Sequence, residues 1–297
     1  MNYRHAYHAG NFADVLKHAV FARVIEYMKR KDAPFRVIDT HAGAGRYSLA
    51  STEAGKTGEW RDGIGRLLGT GAKPLSPAAE AFFAPYLGAV RAENPGGMLE
   101  VYPGSPRIAL RLMRPQDMLI ANELHPEDLS HLRSAMGRDR RVKVLALDGW
   151  TALKALLPPK ERRGVILIDP PYEEEGELSR VTEALTQGLK RFAGGTFIAW
   201  YPIKDPKSAF KFRDTLAVLE NAEPLVIELM VRRPNDPDRL NGCGLVLTNP
   251  PYTLRAELDT VMPELRSRFR QGDTSHSQRT LRSGARRAGA GGRVRRR

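Results

Sequence analysis

The stretch VILIDPPYEEE, residues 165–175, carries an apolar run into Asp169, Pro170, Pro171 and Tyr172. Pro170 biases Asp169 toward an extended backbone, and the two prolines fix their own φ angles while leaving their carbonyls free to accept. Such a turn can grip an exocyclic amine. Asp169 and the Pro170 carbonyl each accept one N–H, which aims the nitrogen lone pair at an electrophilic carbon about 3 Å away. Tyr172 offers a face to a nucleobase, a contact worth about 1–3 kcal/mol, and a base held in this way must be flipped out or already unpaired. The alternative is a Pro-Pro turn that only ends a strand. GLVLTNPPYTL, residues 244–254, repeats the pattern with Asn249 in place of the acid, so the chain poses the question of which copy carries chemistry.

A second candidate is DTHAGAG, where Asp39 precedes Gly43 and Gly45 directly after an apolar run. Glycines there let backbone approach a ligand closely. The turn is not a good dinucleotide fingerprint, because Ser48 stands where a third small residue is expected, and no P-loop pattern occurs. A carboxylate ahead of the glycines suits a cationic group, such as the zwitterionic methionine part of S-adenosylmethionine. Glu123 closes the next apolar run and could accept both hydrogens of a ribose diol. Asp148, followed by Gly149, closes another and could meet an adenine amino group. Each acid alone has a bland reading as a helix cap or solvated turn; four successive run ends carrying Asp39, Glu123, Asp148 and Asp169 point to one site, since ligands of open α/β sheets bind beyond the carboxyl ends of the strands.

These ends must be positioned by strands. FRVID, MLIANE (118–123), VKVLALD (142–148), GVILID (164–169), TFIAWY (196–201), LVIELMV (225–231) and CGLVLTN (243–249) read as buried strands, with helical patterns between most of them. Before the first, Phe12, Val15, Leu16, Val20, Val24 and Met28 mark one face of a helix over residues 12–28, with Asn11 and Asp14 in a capping arrangement. Alternating strands and helices predict an α/β, Rossmann-like fold with a doubly wound, mostly parallel sheet. Residues 50–104 break the rhythm: a helical pattern, PAAEAFFAPYLGAVRAE, sits in a Gly- and Pro-rich interval where about thirty residues would complete a βαβ unit. The expected organisation is residues 1–49 as the N-terminal helix and first strand, 50–104 as an inserted small helical subdomain, 105–270 as the rest of the domain, and 271–297 as a disordered Arg-rich tail.

A chain of 297 residues with 41% hydrophobic content can bury a sizeable core. Its single cysteine, Cys243, excludes a disulfide framework or a Cys-based zinc site and fits a reducing, cytoplasmic setting. No apolar run of membrane-spanning length and no signal-peptide core is evident, so neither membrane insertion nor export is expected. No metal site is expected, and nothing such as a heptad seam demands more than a monomer. Residues 271–297 carry eight Arg and one Asp, a charge of +7, so +6 of the total +13 belongs to residues 1–270. A basic body favours nucleic acid over an acidic or neutral partner. The tail reads either as a solubilising extension or as a sequence-independent phosphate binder.

Taken together, YRHAYHAGNFADVLKH, DTHAGAGRYSL, YPGSP, NELHP, DGW and LIDPPYE closely resemble the RlmJ family of bacterial 23S ribosomal RNA adenine-N6 methyltransferases. The resemblance runs nearly the whole chain to about residue 265. It implies a class I S-adenosylmethionine-dependent methyltransferase fold of seven strands, the last antiparallel, with a small helical insertion, and 23S rRNA, free or partly assembled, as substrate. It also implies cofactor contacts at His18, His41, Ser105, Glu123, Asp148 and Gly149, Asp169 as the catalytic residue, and a role for Tyr3, His5 and Lys17 in binding cofactor or positioning RNA. The Arg-rich tail departs from the family pattern.

Read from the residues alone, Lys17 and His18 sit off the apolar stripe of the first helix, so a solvated face is the alternative for both. Ser105, in PGSPRIAL, is placed as a helix N-cap, and His41, inside the glycine turn, has no core role and favours ligand contact. The rival functions are an adenine methyltransferase acting on DNA, glutamine-N5 methylation of a protein, and a non-catalytic RNA-binding protein that keeps the fold; the last sits poorly with an intact Asp169. For the repeated turn, strand direction decides. A final strand inserted antiparallel beside the sixth would carry Asn249, Pro250 and Tyr252 to the edge away from the cofactor.

Overall fold

The structure is a computed structural model, and it describes residues 5–222, 224–234, 236 and 239–272. Tyr3, and the Arg-rich stretch from residue 273 on, lie outside the described residues. The chain begins with a short turn of 3-10 helix at His5–Tyr7 and α1 (Phe12–Met28), then β1 (Arg36–Asp39) and β2 (Arg46–Ser48). Next come α2 (Thr52–Thr57), α3 (Glu59–Asp62), α4 (Gly65–Leu68), α5 (Pro77–Ala92), β3 (Val101–Pro103) and α6 (Ser105–Leu112). From there strands and helices alternate: β4 (Met118–Asn122), α7 (Pro126–Met136), β5 (Val142–Leu145), α8 (Gly149–Leu156), β6 (Gly164–Ile168), α9 (Glu177–Arg191), β7 (Thr196–Ile203) and α10 (Pro206–Thr215). The chain closes with β8 (Leu225–Met230), β9 (Gly242–Thr248) and α11 (Leu254–Arg268).

Seven strands form one sheet in the order β5-β4-β1-β6-β7-β9-β8. The pairings β4–β5, β1–β4, β1–β6 and β6–β7 are parallel, while β9 is antiparallel to both β7 and β8. The strand alternation visible in the sequence feeds two cores. Val37, Leu119, Val165 and Leu245 face α1, α5, α6 and α11, whereas Ile38, Ile166, Phe197 and Val246 face α8, α9 and α10. A sheet covered on both faces explains why its strands read as continuous apolar runs.

Helix α1 is buried on nearly every side, packed between the sheet and α5 and α6. Its capping matches the sequence: the Asn11 side chain accepts from the Ala13 and Asp14 N–H groups. Its surroundings do not match a half-solvated helix. Lys17 is 3% exposed and His18 1% exposed: His18 packs against Tyr86 of α5 and Tyr102 of β3, and Lys17 is closed in by Asp14, Asp169 and Trp200. Phe82, Phe83, Tyr86 and Val90 of α5 share the core of α1.

A two-stranded antiparallel sheet, β2 with β3, was not legible in the apolar pattern. It joins the two ends of the helical interval, pairing Arg46 with Pro103, and the Gly104 N–H donates to the Gly45 carbonyl at 2.9 Å. A Cβ on Gly104 would lie 3.2 Å from the Gly45 Cα, so the approach requires a small residue. This clasp brings the start of α6 against the glycine turn after β1.

Candidate active site

A cleft of about 610 Å³ opens at the carboxyl edge of the parallel strands, a size that accommodates a nucleoside-containing ligand. Because the strands lie in the order β5-β4-β1-β6, the acids that follow them read along this edge as Asp148, Glu123, Asp39 and Asp169. Glu123, Asp148 and Asp169 line the cleft together with Lys17, His18, His41, Gly43, Ser105, Gly149, Pro170 and Tyr172. His5 also lines it, from the 3-10 turn that precedes α1. Asp39 and Gly45 sit behind the lining and are buried.

Asp39 differs from the direct cation contact expected of it. The side chain has no exposed surface; Oδ2 accepts the Ser105 hydroxyl at 2.6 Å, and Oδ1 is buried without a well-formed hydrogen-bond partner. Burial raises its pKa to about 7, opposed by the Ser105 hydrogen bond and reinforced by the like charge of Asp169. Ser105 is correspondingly not the N-cap predicted from PGSP. Gly104 holds the cap position, Ser105 is the first residue of α6, and its hydroxyl is directed to Asp39 instead of to a helix N–H. The serine, which lines the cleft, thus stands between Asp39 and the cleft.

Gly43 and Gly45 both adopt left-handed backbone, with φ of 60° and 75°. The Gly43 N–H donates to Glu123 Oε2 at 2.8 Å and the His125 N–H to Oε1 at 2.7 Å. Glu123 therefore braces the turn as well as facing the cleft, and each oxygen retains a second lone pair for a diol. Its pKa is raised by burial, against these backbone hydrogen bonds. Asn122, unnoticed in the sequence, ties three strand ends by donating to the Thr40 and Leu147 carbonyls and accepting from the Leu147 N–H.

His41 shares a hydrogen bond with the Thr40 hydroxyl through Nδ1 and packs edge-on against Trp150. Burial lowers its pKa to about 4, so the ring is neutral. Gly149 lies against it: a Cβ there would come within 2.4 Å of His41 Nε2. Asp148 is exposed, and it caps α8 by accepting from the Thr151 N–H at 2.9 Å. The capping and ligand-facing readings of this acid are compatible in the structure.

At the other end of the cleft a buried charge cluster joins α1 to the D-P-P-Y turn. Lys17 Nζ lies 2.8 Å from Asp14 Oδ1 and 2.5 Å from Asp169 Oδ2. Burial alone would lower the Lys17 pKa, but the two carboxylates raise it and keep the ammonium charged. Asp14 also accepts from His5 Nε2 at 2.9 Å and from the Gly10 N–H at 2.8 Å, and despite burial its pKa is held well below the usual range by His5 and Lys17. The sequence presented Asp14 only as a cap partner; a carboxylate three residues before a lysine on one helix face was the available signal. His18 is neutral, its pKa lowered by burial to about 3, and shares a 2.7 Å hydrogen bond with the Tyr102 hydroxyl.

Tyr172 has a left-handed backbone, φ 55°, and its hydroxyl donates to the Trp200 carbonyl at 2.5 Å. Tyr172 and Trp200 meet edge to face and both line the cleft. Trp200 was missed in the sequence because TFIAWY reads simply as a strand. Asn249 lies elsewhere. Thr248, the last residue of β9, pairs with Phe197 at the start of β7, and the Asn249 amide donates to the Ala193 and Gly195 carbonyls. The look-alike turn is therefore at the opposite edge of the sheet from Asp169. Among the described residues no group of three or more His, Cys, Asp or Glu is arranged to hold a metal ion, and no helix is long and apolar enough to cross a membrane.

A seven-stranded sheet of this order, with the last strand antiparallel and inserted beside the sheet edge, and a D-P-P-Y turn at the carboxyl end of its fourth strand in chain order, defines a Rossmann-like class I methyltransferase fold. Residues 32–282 match the family model described as ribosomal RNA large subunit methyltransferase D, RlmJ, and the chain belongs to this family. It is 42% identical over 277 residues to ribosomal RNA large subunit methyltransferase J of Escherichia coli K12, covering 93% of this chain and 97% of that protein. The protein of the same name from Haemophilus influenzae is 42% identical over 269 residues, covering 89% of this chain and 92% of its own. A crystal structure of a Legionella pneumophila protein superposes with a TM-score of 0.79 at 34% identity, covering 89% of this chain and 95% of that one.

Proposed function

We propose that this protein transfers the methyl group of S-adenosylmethionine to the exocyclic N6 of an adenine in 23S ribosomal RNA, acting as a monomer in the cytoplasm on free or partly assembled RNA. The observation that carries the reading is the placement of Asp169 and Pro170 in one cleft with Glu123, Asp148, His41 and Ser105. The cleft fits the cofactor on its own geometry. The cleft lining at His41, Asp148 and Gly149, the second lone pairs of the Glu123 oxygens and the Ser105–Asp39 pair offer, in order, a surface for the cofactor's ring, acceptors for a diol and an anionic pole for a cation. When bound, the cofactor supplies an electrophilic methyl on a sulfonium.

The chain's residues do the rest by orientation. Lys17 occupies Asp169 Oδ2, which leaves Oδ1 to accept one N6–H while the Pro170 carbonyl accepts the other. With both hydrogens held in this plane the nitrogen lone pair is directed out of the base. Tyr172, fixed through its hydroxyl to Trp200, forms a wall for the base. After transfer the nitrogen carries a positive charge, and its extra proton passes to Asp169 or to water. His18, Asp39, Gly43 and Gly45 are assigned to the cofactor side, and His5 and Lys17, with Tyr3 outside the described residues, to binding the substrate.

The test is methyl transfer from labelled cofactor to deproteinised 23S RNA, to intact large subunits and to adenine-containing DNA. Labelling of N6-methyladenine in the RNA is expected. Transfer to DNA alone, or to none of the three, would reject the assignment.

A further inference from the structure

The carboxyl edge that holds the cleft continues into a surface to which the mechanism assigns no role. After β7 the chain passes Lys204, which is exposed and lines the cleft rim, and enters α10 at Pro206. Ala209 and Phe212 are buried, and this fixes the rotation of the helix so that Lys207, Phe210 and Lys211 point to solvent. Phe210 is 56% exposed. At about 1.5 Å of rise per residue it stands only about 6 Å along the helix from the cleft-side end. The Arg213 guanidinium lies 5.4 Å from the centre of its ring and is itself held by Glu228 at 2.5 Å, so one flank of the ring is backed by a fixed cation.

A lone exposed phenylalanine is ordinary on a protein surface. What sets this one apart is its company. Among the described residues none of Lys204, Lys207 and Lys211 forms an ion pair, although Asp205, which caps α10, and the exposed Asp214 belong to the same element. An aromatic ring interleaved with unpaired cations at the rim of a base-accepting cleft matches single-stranded nucleic acid: phosphates for the ammonium groups and a base for the ring. Flipping one adenine into the cleft also leaves its neighbours partly unstacked and in need of a surface.

We propose that the outer face of α10, with Phe210 as stacking platform and Lys204, Lys207 and Lys211 as phosphate contacts, holds the RNA nucleotides flanking the target adenine. This rests on the RNA-methylating reading above. The test uses the full-length chain, deproteinised 23S RNA titrated at several salt concentrations, and single-turnover transfer at saturating RNA, with cofactor affinity and melting temperature as controls. Phe210→Ala should weaken RNA binding about tenfold, the loss of about one stacked base, and leave the salt slope, cofactor affinity and saturated transfer rate unchanged. Phe210→Trp should retain affinity. Lys207→Ala with Lys211→Ala should flatten the slope of log K against log salt by about 1.4, roughly 0.7 for each phosphate left without its ammonium partner. Folded variants that bind RNA like the parent would overturn the proposal while the parent's methylation still stands. A parent chain that neither binds nor methylates the RNA would remove both readings.

Discussion

Lys17 Nζ sits 2.5 Å from Asp169 Oδ2, although 152 residues separate the two in sequence. The contact anchors the D-P-P-Y turn to α1, and Asp14 completes the cluster from the other side. Removing the cation would leave two carboxylates close together in a buried setting, one of them, Asp14, with almost no exposure. Lys17→Met is therefore expected to cost about 3–5 kcal/mol of stability, as for other buried pairs broken on one side, and to reduce transfer about 100-fold or more through misplacement of Asp169. Denaturant unfolding and single-turnover transfer at a temperature where the variant is folded check the two parts separately.

The two proline turns should separate cleanly under mutation. Asp169→Ala is expected to abolish transfer while cofactor binding persists. Asn249→Ala removes two hydrogen bonds to the Ala193 and Gly195 carbonyls and places alanine at φ 49°, so it should lose about 1–3 kcal/mol of stability but leave the chemical step intact. A folded Asn249→Ala protein that binds cofactor and fails to transfer would contradict the assignment of chemistry to Asp169.

Much of this was legible in the chain because a doubly covered sheet writes itself as apolar runs, and the acids at their ends are few. Asp169, Glu123 and Asp148 could be placed at one edge from topology alone. The local roles were not legible. Whether Ser105 caps a helix or bonds Asp39 depends on the β2–β3 clasp, whose three-residue strands RYS and VYP have no periodicity to read. The burial of His18 depends on Tyr86 of α5 and Tyr102 of β3, and that of Lys17 on the D-P-P-Y turn and Trp200, all distant in the chain, and a hydrophobic stripe on α1 cannot report what covers its other side.

Cofactor affinity should depend on pH through Asp39. Its pKa in the folded protein is raised to about 7 from 3.8, so the carboxyl is largely neutral below pH 7 and offers less to a cation. Affinity should weaken as pH falls through 7, approaching tenfold per unit. The stability sign is opposite: between 3.8 and 7 the folded state holds a proton that the unfolded state has released, so the cofactor-free protein loses stability as pH rises through this window. Asp39→Asn should flatten both profiles near neutrality, and Ser105→Ala, which removes the hydrogen bond favouring the anion, should shift the affinity midpoint upward. Glu123 and Glu177, whose pKa values are raised by burial, and His8, whose pKa is raised by its hydrogen bond to Glu59, are further cleft groups to control for; His8→Asn should leave the Asp39 profile in place. Isothermal titration across pH 5.5–8.5, a span of about three units centred on this group, reads the effect.

Gly149 tests whether the niche beside His41 is a binding surface. Its backbone is not left-handed, and alanine is a better helix former than glycine by about 1 kcal/mol, so Gly149→Ala should not impair folding on backbone grounds. The added Cβ would instead meet His41 Nε2 at 2.4 Å and the Thr40 carbonyl oxygen at 3.0 Å, and displace the ring from its edge contact with Trp150. The expected result is a melting temperature close to that of the parent and cofactor affinity weakened about 10-fold or more. Because the damage passes through the imidazole, Gly149→Ala combined with His41→Ala should cost less than the sum of the two single changes, and this coupling is read from a double-mutant cycle on cofactor binding. Strict additivity would mean that the clash is absorbed elsewhere and that His41 does not form the wall of the cofactor site.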